Sequence, residues 1–176
     1  MKHALLVLAT LGALSATAAK AERLDIDHRI YAPLYAAMES PHDGTVFFQA
    51  SPSGRVLDRI LVAGTSAERD WSEALELVVI PRKGEQKTPQ AWLAAFRPER
   101  ESICPANLTP LGEDQNSVTF ALESSACNAG TPLSGLYRVV YGRRSVYVVG
   151  AKYKGTMSPA QRAQWLAVLQ SARLAG

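Results

Sequence analysis

Three carboxylates, Asp70, Glu73 and Glu76, fall close together in a stretch whose apolar and polar residues alternate. Two carboxyl groups held at a defined separation can hydrolyse a glycosidic bond, one as acid and the other as nucleophile or base. The alternation predicts a strand from Ser72 to Ile80. Glu73, Leu75, Leu77 and Val79 then face one side, and Ala74, Glu76, Val78 and Ile80 the other. Glu73 and Glu76 are thereby separated, leaving Asp70 and Glu73 as the pair able to approach. A solvated acidic rim is the competing reading of the same residues. His28 and His42 lie near Asp25, Asp27 and Asp43, without a recognised metal-ligand spacing. There is no Gly-x-Ser-x-Gly elbow, phosphate-binding loop or dinucleotide fingerprint, so no catalytic residue, metal or cofactor is assigned.

Charge is the more informative pattern. From Asn128 to Gly176 there are seven basic residues and no acidic one: Arg138, Arg143, Arg144, Lys152, Lys154, Arg162 and Arg173. From Glu22 to Cys127, ten Lys and Arg oppose sixteen Asp and Glu. One reading is a basic face, formed by Arg138, Arg143, Arg144, Lys152 and Lys154, turned towards an anionic envelope component or an acidic protein. Lipid headgroups, lipopolysaccharide phosphates and peptidoglycan carboxylates belong to the first class. The other reading pairs these cations with acids inside the fold. Nucleic acid is not implied, because the chain's net charge is only +3.

The elements that must position these charges centre on a predicted hairpin, Leu136–Tyr141 and Ser145–Val149, rich in β-branched and aromatic residues. A two-residue Gly142-Arg143 loop would place Val139 opposite Val146 and Tyr137 opposite Val148, with positive φ at Gly142. A three- or four-residue loop also fits. Further strands are expected at Thr45–Ala50, Val56–Ala63 and Ser117–Glu123. Thr65 and Glu68 have capping-box spacing for one or two helical turns. Thr88 caps a helix opened by Pro89, with Trp92, Ala95 and Phe96 on one face and an end near Arg97, before Pro98. Ser158 and Pro159 begin a second helix with an apolar stripe of Trp165, Leu166, Leu169 and Ala172. Between Glu22 and Gly44, Pro33 interrupts a helical spacing, and a short helix or an irregular lead-in fits equally.

The N-terminus reads as a signal peptide: a basic Met1-Lys2-His3, an apolar run from Ala4 to Ala19, and Ala19-Lys20-Ala21 as a cleavage site before Glu22, with Ala16-Thr17-Ala18 as the alternative. The expected organisation is a signal peptide over residues 1–21 and a single α+β domain over 22–176, periplasmic or secreted, without a transmembrane segment in the mature chain. Cys104 and Cys127 are then expected to form a disulfide closing a loop of about 24 residues, contributing about 3 kcal/mol. The Asn107-Leu108-Thr109 sequon reads as accidental beside a bacterial signal peptide.

The predicted fold is α+β, a largely antiparallel sheet with a mid-chain helix and a C-terminal helix packed on it. From Thr45 to Leu174 this element order resembles the small Mog1/PsbP-like α/β sandwiches. The segments Trp71–Ile80 and Thr88–Phe96, with the final hairpin and helix, are similar to a group of uncharacterised exported proteobacterial proteins. Neither resemblance brings a functional residue. The function expected is a noncatalytic binding or accessory protein using the basic hairpin face, with an inhibitor or immunity protein as a close variant; a small envelope hydrolase using carboxylates is the alternative.

Overall fold

The computed structural model describes residues 22–82, 88–103, 105–124 and 133–175, with the backbone alone over 98–103. The predicted signal peptide, Cys104 and Cys127 lie outside the described residues. The strands are β1 (Arg23–Asp25), β2 (Val46–Ala50), β3 (Val56–Gly64), β4 (Trp71–Pro81), β5 (Ala106–Glu113), β6 (Ser117–Ser124), β7 (Leu133–Tyr141), β8 (Ser145–Lys154) and β9 (Arg173–Ala175). The helices are α1 (Ala32–Glu39), α2 (Pro89–Ile103) and α3 (Pro159–Ser171).

Seven strands form one antiparallel sheet in the order β2-β3-β4-β8-β7-β6-β5, while β1 and β9 pair as a separate ribbon. The expected α+β class is therefore what the chain adopts, with the predicted hairpin as β7 and β8 near the middle of the sheet. Helices cover both faces. Leu75, Ala121, Leu136, Val149 and Ala151 meet α1 and α3 through Leu34, Trp165, Val168 and Leu169. Val78, Phe120, Tyr137, Val139 and Val148 lie on the other face with Leu93, Trp92 and Phe96 of α2. Central strands buried on both sides need apolar residues at consecutive positions, which explains the near-continuous Val and Tyr runs.

Side-chain chemistry accounts for the helix starts. Ser158 Oγ accepts from the Gln161 N–H at 3.2 Å and Gln161 Oε1 accepts from the Ser158 N–H at 3.1 Å, a complete capping box. Trp165, Val168 and Leu169 are fully buried, and each contributes about 1.5–3 kcal/mol by leaving water. Thr88 Oγ1 accepts from the Ala91 N–H at 3.1 Å at the start of α2. Pro33 occupies the first turn of α1, where its missing N–H leaves no helical bond unmade.

Four expectations require correction. The hairpin loop takes the four-residue alternative in place of the two-residue one: Val139 pairs with Val148 and Tyr141 with Val146, leaving residues 142–145 between the last paired positions, and the two-residue shift keeps every side chain on its expected face. Gly142 is not at positive φ. A Cβ there would lie 2.1 Å from Glu22 Oε1, so the glycine admits the carboxylate that accepts the Arg143 N–H at 2.7 Å. No helix develops after Thr65: a single turn bond runs from the Asp70 N–H to the Ser66 carbonyl at 3.0 Å, and the Asp70 carbonyl accepts both the Thr65 and Ser66 N–H groups and closes a loop instead. The α2 backbone continues through Pro98 to Ile103, so the bias against helix before a proline is overridden there. Strand β5 was not expected at all: Pro110, Gly112 and an adjacent register shift disguise a strand on the sheet edge.

Candidate functional site

Adjacent strands bring opposite charges into register. Arg59 is the cross-strand partner of Glu76, and Lys152 lies on β8 beside the same stretch of β4. Arg59 donates to Glu76 Oε2 from Nη2 at 2.6 Å and from Nε at 3.1 Å, and Lys152 Nζ sits 2.6 Å from Oε1. Both carboxylate oxygens are thus engaged. Burial disfavours the charged carboxylate, but Lys152 and then Arg59 outweigh it and hold its pKa below the usual range. The Arg59 guanidinium also stands 5.3 Å from the Trp71 ring, over which Lys154 Nζ lies at 4.7 Å. These contacts join Arg59, Lys152 and Lys154 into one cluster on the α2 face.

Beside this cluster, α2 and the sheet enclose a cleft of about 240 Å³ whose lining includes Trp92, Phe96, Phe120 and Tyr137, with Glu76, Lys152 and Arg55 among its polar residues. Its aromatic wall is continuous: Trp92 stacks on Phe96 at 4.9 Å, Phe96 lies 6.1 Å from Phe120, and Phe120 stacks on Tyr137 at 5.3 Å. Two glycines permit this arrangement. A Cβ at Gly135 or Gly150 would approach the Tyr137 ring to 2.5 or 2.7 Å, so the ring lies flat against bare backbone on two neighbouring strands. The exposed Arg55 side chain has no hydrogen-bond or ion-pair partner among the described residues. Chemically, the cleft combines an aromatic wall with an excess of cations.

The five basic residues expected to share one face are distributed over three places. Lys152 and Lys154 belong to the cluster beside the cleft. Arg138 lies on the opposite face, donating to Thr119 Oγ1 at 3.2 Å and facing Asp114 at 3.4 Å. Arg143 and Arg144 are at the hairpin turn, the far end of β8, where the Glu22 carboxylate accepts both backbone N–H groups and lies 3.7 Å from Arg143 Nε. Arg138, Arg143, Lys152 and Arg162 pair with Asp114, Glu22, Glu76 and Glu123 respectively. Charge segregated along the chain is interleaved in space because β8 lies against β4 and β7 against β6. Arg55, Arg59 and the glycine-backed Tyr137 were missed in the sequence; the detectable signal was two arginines at even spacing, which a strand places on one face.

The carboxylates do not assemble as a catalytic pair. Glu73 and Glu76 do face opposite sides, as their alternation implies. Glu73 is 5% exposed and its Oε1 accepts from Trp165 Nε1 at 2.6 Å and from the Tyr31 hydroxyl at 2.8 Å. Burial first, and this carboxylate second, push the Tyr31 pKa up to about 12. Asp70 instead accepts from the Thr65 hydroxyl. His28 stacks on Tyr35, whereas His42 Nδ1 contacts Thr45 Oγ1 at 2.9 Å. Among the described residues, no three His, Cys, Asp or Glu side chains gather as a metal site, and no helix is long and apolar enough to cross a membrane. Compared with known proteins, the chain matches no protein-family model and no curated sequence.

Proposed function

We propose that this is an exported, noncatalytic binding or accessory protein whose working surface is the cleft between α2 and the sheet. Its ligand class is an anionic envelope component carrying an apolar or aromatic group. The observation that carries this reading is the unpartnered Arg55 in the lining of an aromatic-walled cleft that Lys152 also lines. Such a wall supplies apolar contact area, while convergent cations select the sign of the ligand and accelerate encounter. Arg59 and Lys152 are already neutralised in part by Glu76, which leaves Arg55 in the cleft lining, and Lys154 in the adjoining cluster over Trp71, as the charges most available to a ligand. An acidic partner protein, as in an inhibitor or immunity complex, would use the same charges over a wider area.

The test compares Arg55→Glu with Lys154→Glu against Arg143→Glu with Arg144→Glu. The probes are phosphatidylglycerol vesicles, phosphatidylcholine vesicles and lipopolysaccharide, across an ionic-strength series. Wild type should bind the anionic probes in a salt-sensitive manner, because exposed attraction is screened within about 10 Å at 0.1 M. The cleft variant should lose about tenfold or more of that affinity, and the turn variant less than about twofold. Equal binding by all three proteins, or loss confined to the turn variant, would overturn the assignment to the cleft.

A further inference from the structure

The opposite face carries a second concave site, independent of the cleft. It is a groove of about 500 Å³ between β1, α1 and the β2–β4 side of the sheet. Leu24, Ile26, Met38, Val46, Ile60 and Leu77 supply apolar lining, and Asp58 stands among them. Strand pairing sets Asp58 between Phe48 and Leu77 in one cross-strand row. On that face β3 presents Val56, Asp58, Ile60 and Val62, so the carboxylate interrupts an otherwise apolar series. Its side chain has no hydrogen-bond or ion-pair partner among the described residues. The other ionisable groups of the groove are engaged elsewhere: Asp25 pairs with Arg23 at 3.0 Å, and His28 stacks on Tyr35. Burial raises the Asp58 pKa, the mark of a carboxylate partly withdrawn from water without a compensating cation. Val46 and Met38 remain 56% and 38% exposed, leaving apolar surface accessible beside it.

We infer that this groove binds a small amphipathic cation, an alkylammonium, whose hydrocarbon lies along Val46, Ile60 and Leu77 while its ammonium group pairs with Asp58. A groove of this volume suits a small molecule, and a single charged group among apolar walls orients such a ligand. Charge complementarity decides the headgroup, since an anionic amphiphile would meet an unpaired carboxylate and a neutral one would leave it unpaired.

Isothermal titration of octyltrimethylammonium, octyl sulfate and octyl glucoside, each as a monomer, tests this inference on the mature protein. The ammonium probe should bind once per chain, about tenfold or more tighter than either of the others. Asp58→Asn should abolish that preference. In wild type, the Asp58 side-chain carboxyl ¹³C resonance should move with the ammonium probe and stay still with the glucoside, a readout that needs no variant. Equal affinity for the three probes, an undiminished preference in Asp58→Asn, or an unmoved Asp58 resonance would overturn it. So would a stable dimer, seen by sedimentation, that the ammonium probe cannot enter, because a second copy would then cover the groove. None of these results bears on the cleft at α2.

Discussion

Replacing Glu76 by Gln keeps the side-chain shape and removes the charge that holds Arg59 and Lys152. The Arg59 and Lys152 side chains are only 14% and 18% exposed, and Glu76 10%. Removing one member of a buried ion pair costs about 3–5 kcal/mol, chiefly because an uncompensated charge stays behind. Partial exposure and the amide oxygen that Gln retains reduce this, giving an expected loss of about 2–4 kcal/mol at pH 7. For a chain of this size that corresponds to a fall in Tm of about 4–16 °C, measurable by calorimetry or urea denaturation. The pH dependence has a definite sign. The Glu76 pKa is depressed in the folded state from an ordinary value of 4.5. Its contribution is therefore complete well above 4.5 and lost as pH falls through the lower, folded value. The gap between wild type and Glu76→Gln should be flat near neutrality and shrink below about pH 4.5. Glu123→Gln is the control: its pair with Arg162 is 61% and 36% exposed at the two side chains, so about 0–1 kcal/mol is expected. Replacing Arg59, Glu76 and Lys152 together by Met, Leu and Met should restore most of the stability, as apolar isosteres of buried ion clusters often do. A loss below about 0.5 kcal/mol for Glu76→Gln, or a gap independent of pH, would refute the reasoning.

Two further outcomes follow from the packing around the sites. Gly150→Ala should cost about 1–3 kcal/mol by driving the Tyr137 ring off the sheet, and Tyr137→Leu in the same chain should recover part of it; additive losses in a urea double-mutant cycle would contradict the close approach. Trp165→Phe withdraws the indole donor from buried Glu73, and chemical denaturation at pH 7 should show a loss of about 1–3 kcal/mol, reduced when Glu73 is replaced by Gln.

Element type was legible wherever local chemistry and burial pointed the same way. Ser158, Pro159 and Gln161 mark the start of α3 by bonds confined to one turn. The alternation of β4 alone puts Glu73 and Glu76 on opposite faces. Legibility failed where a distant group competes with a local signal. Thr65 has a capping partner three residues away in Glu68, but the Asp70 carbonyl takes the Thr65 and Ser66 N–H groups. Gly142 reads as a turn glycine, yet its bare α-carbon serves a carboxylate from Glu22. Strand β5 lies on an edge, where Pro110 and a register shift are tolerated without the alternating pattern that reveals an interior strand.

The sequence by itself determined the α+β class, the central hairpin, the faces of its strands and the two predicted helices, because these follow from periodicity, propensity and caps within a few residues. Only the tertiary structure decided which charges meet. Strand order is set by how a whole set of two-sided apolar strands can be buried together, and that order placed β8 against β4 and β7 against β6. A basic C-terminal segment thereby acquired acidic neighbours from earlier in the chain. Arg55 at the cleft and Asp58 in the groove remained without partners among the described residues. Their lack of partners is a property of three-dimensional neighbours, which charge counted along the chain does not encode.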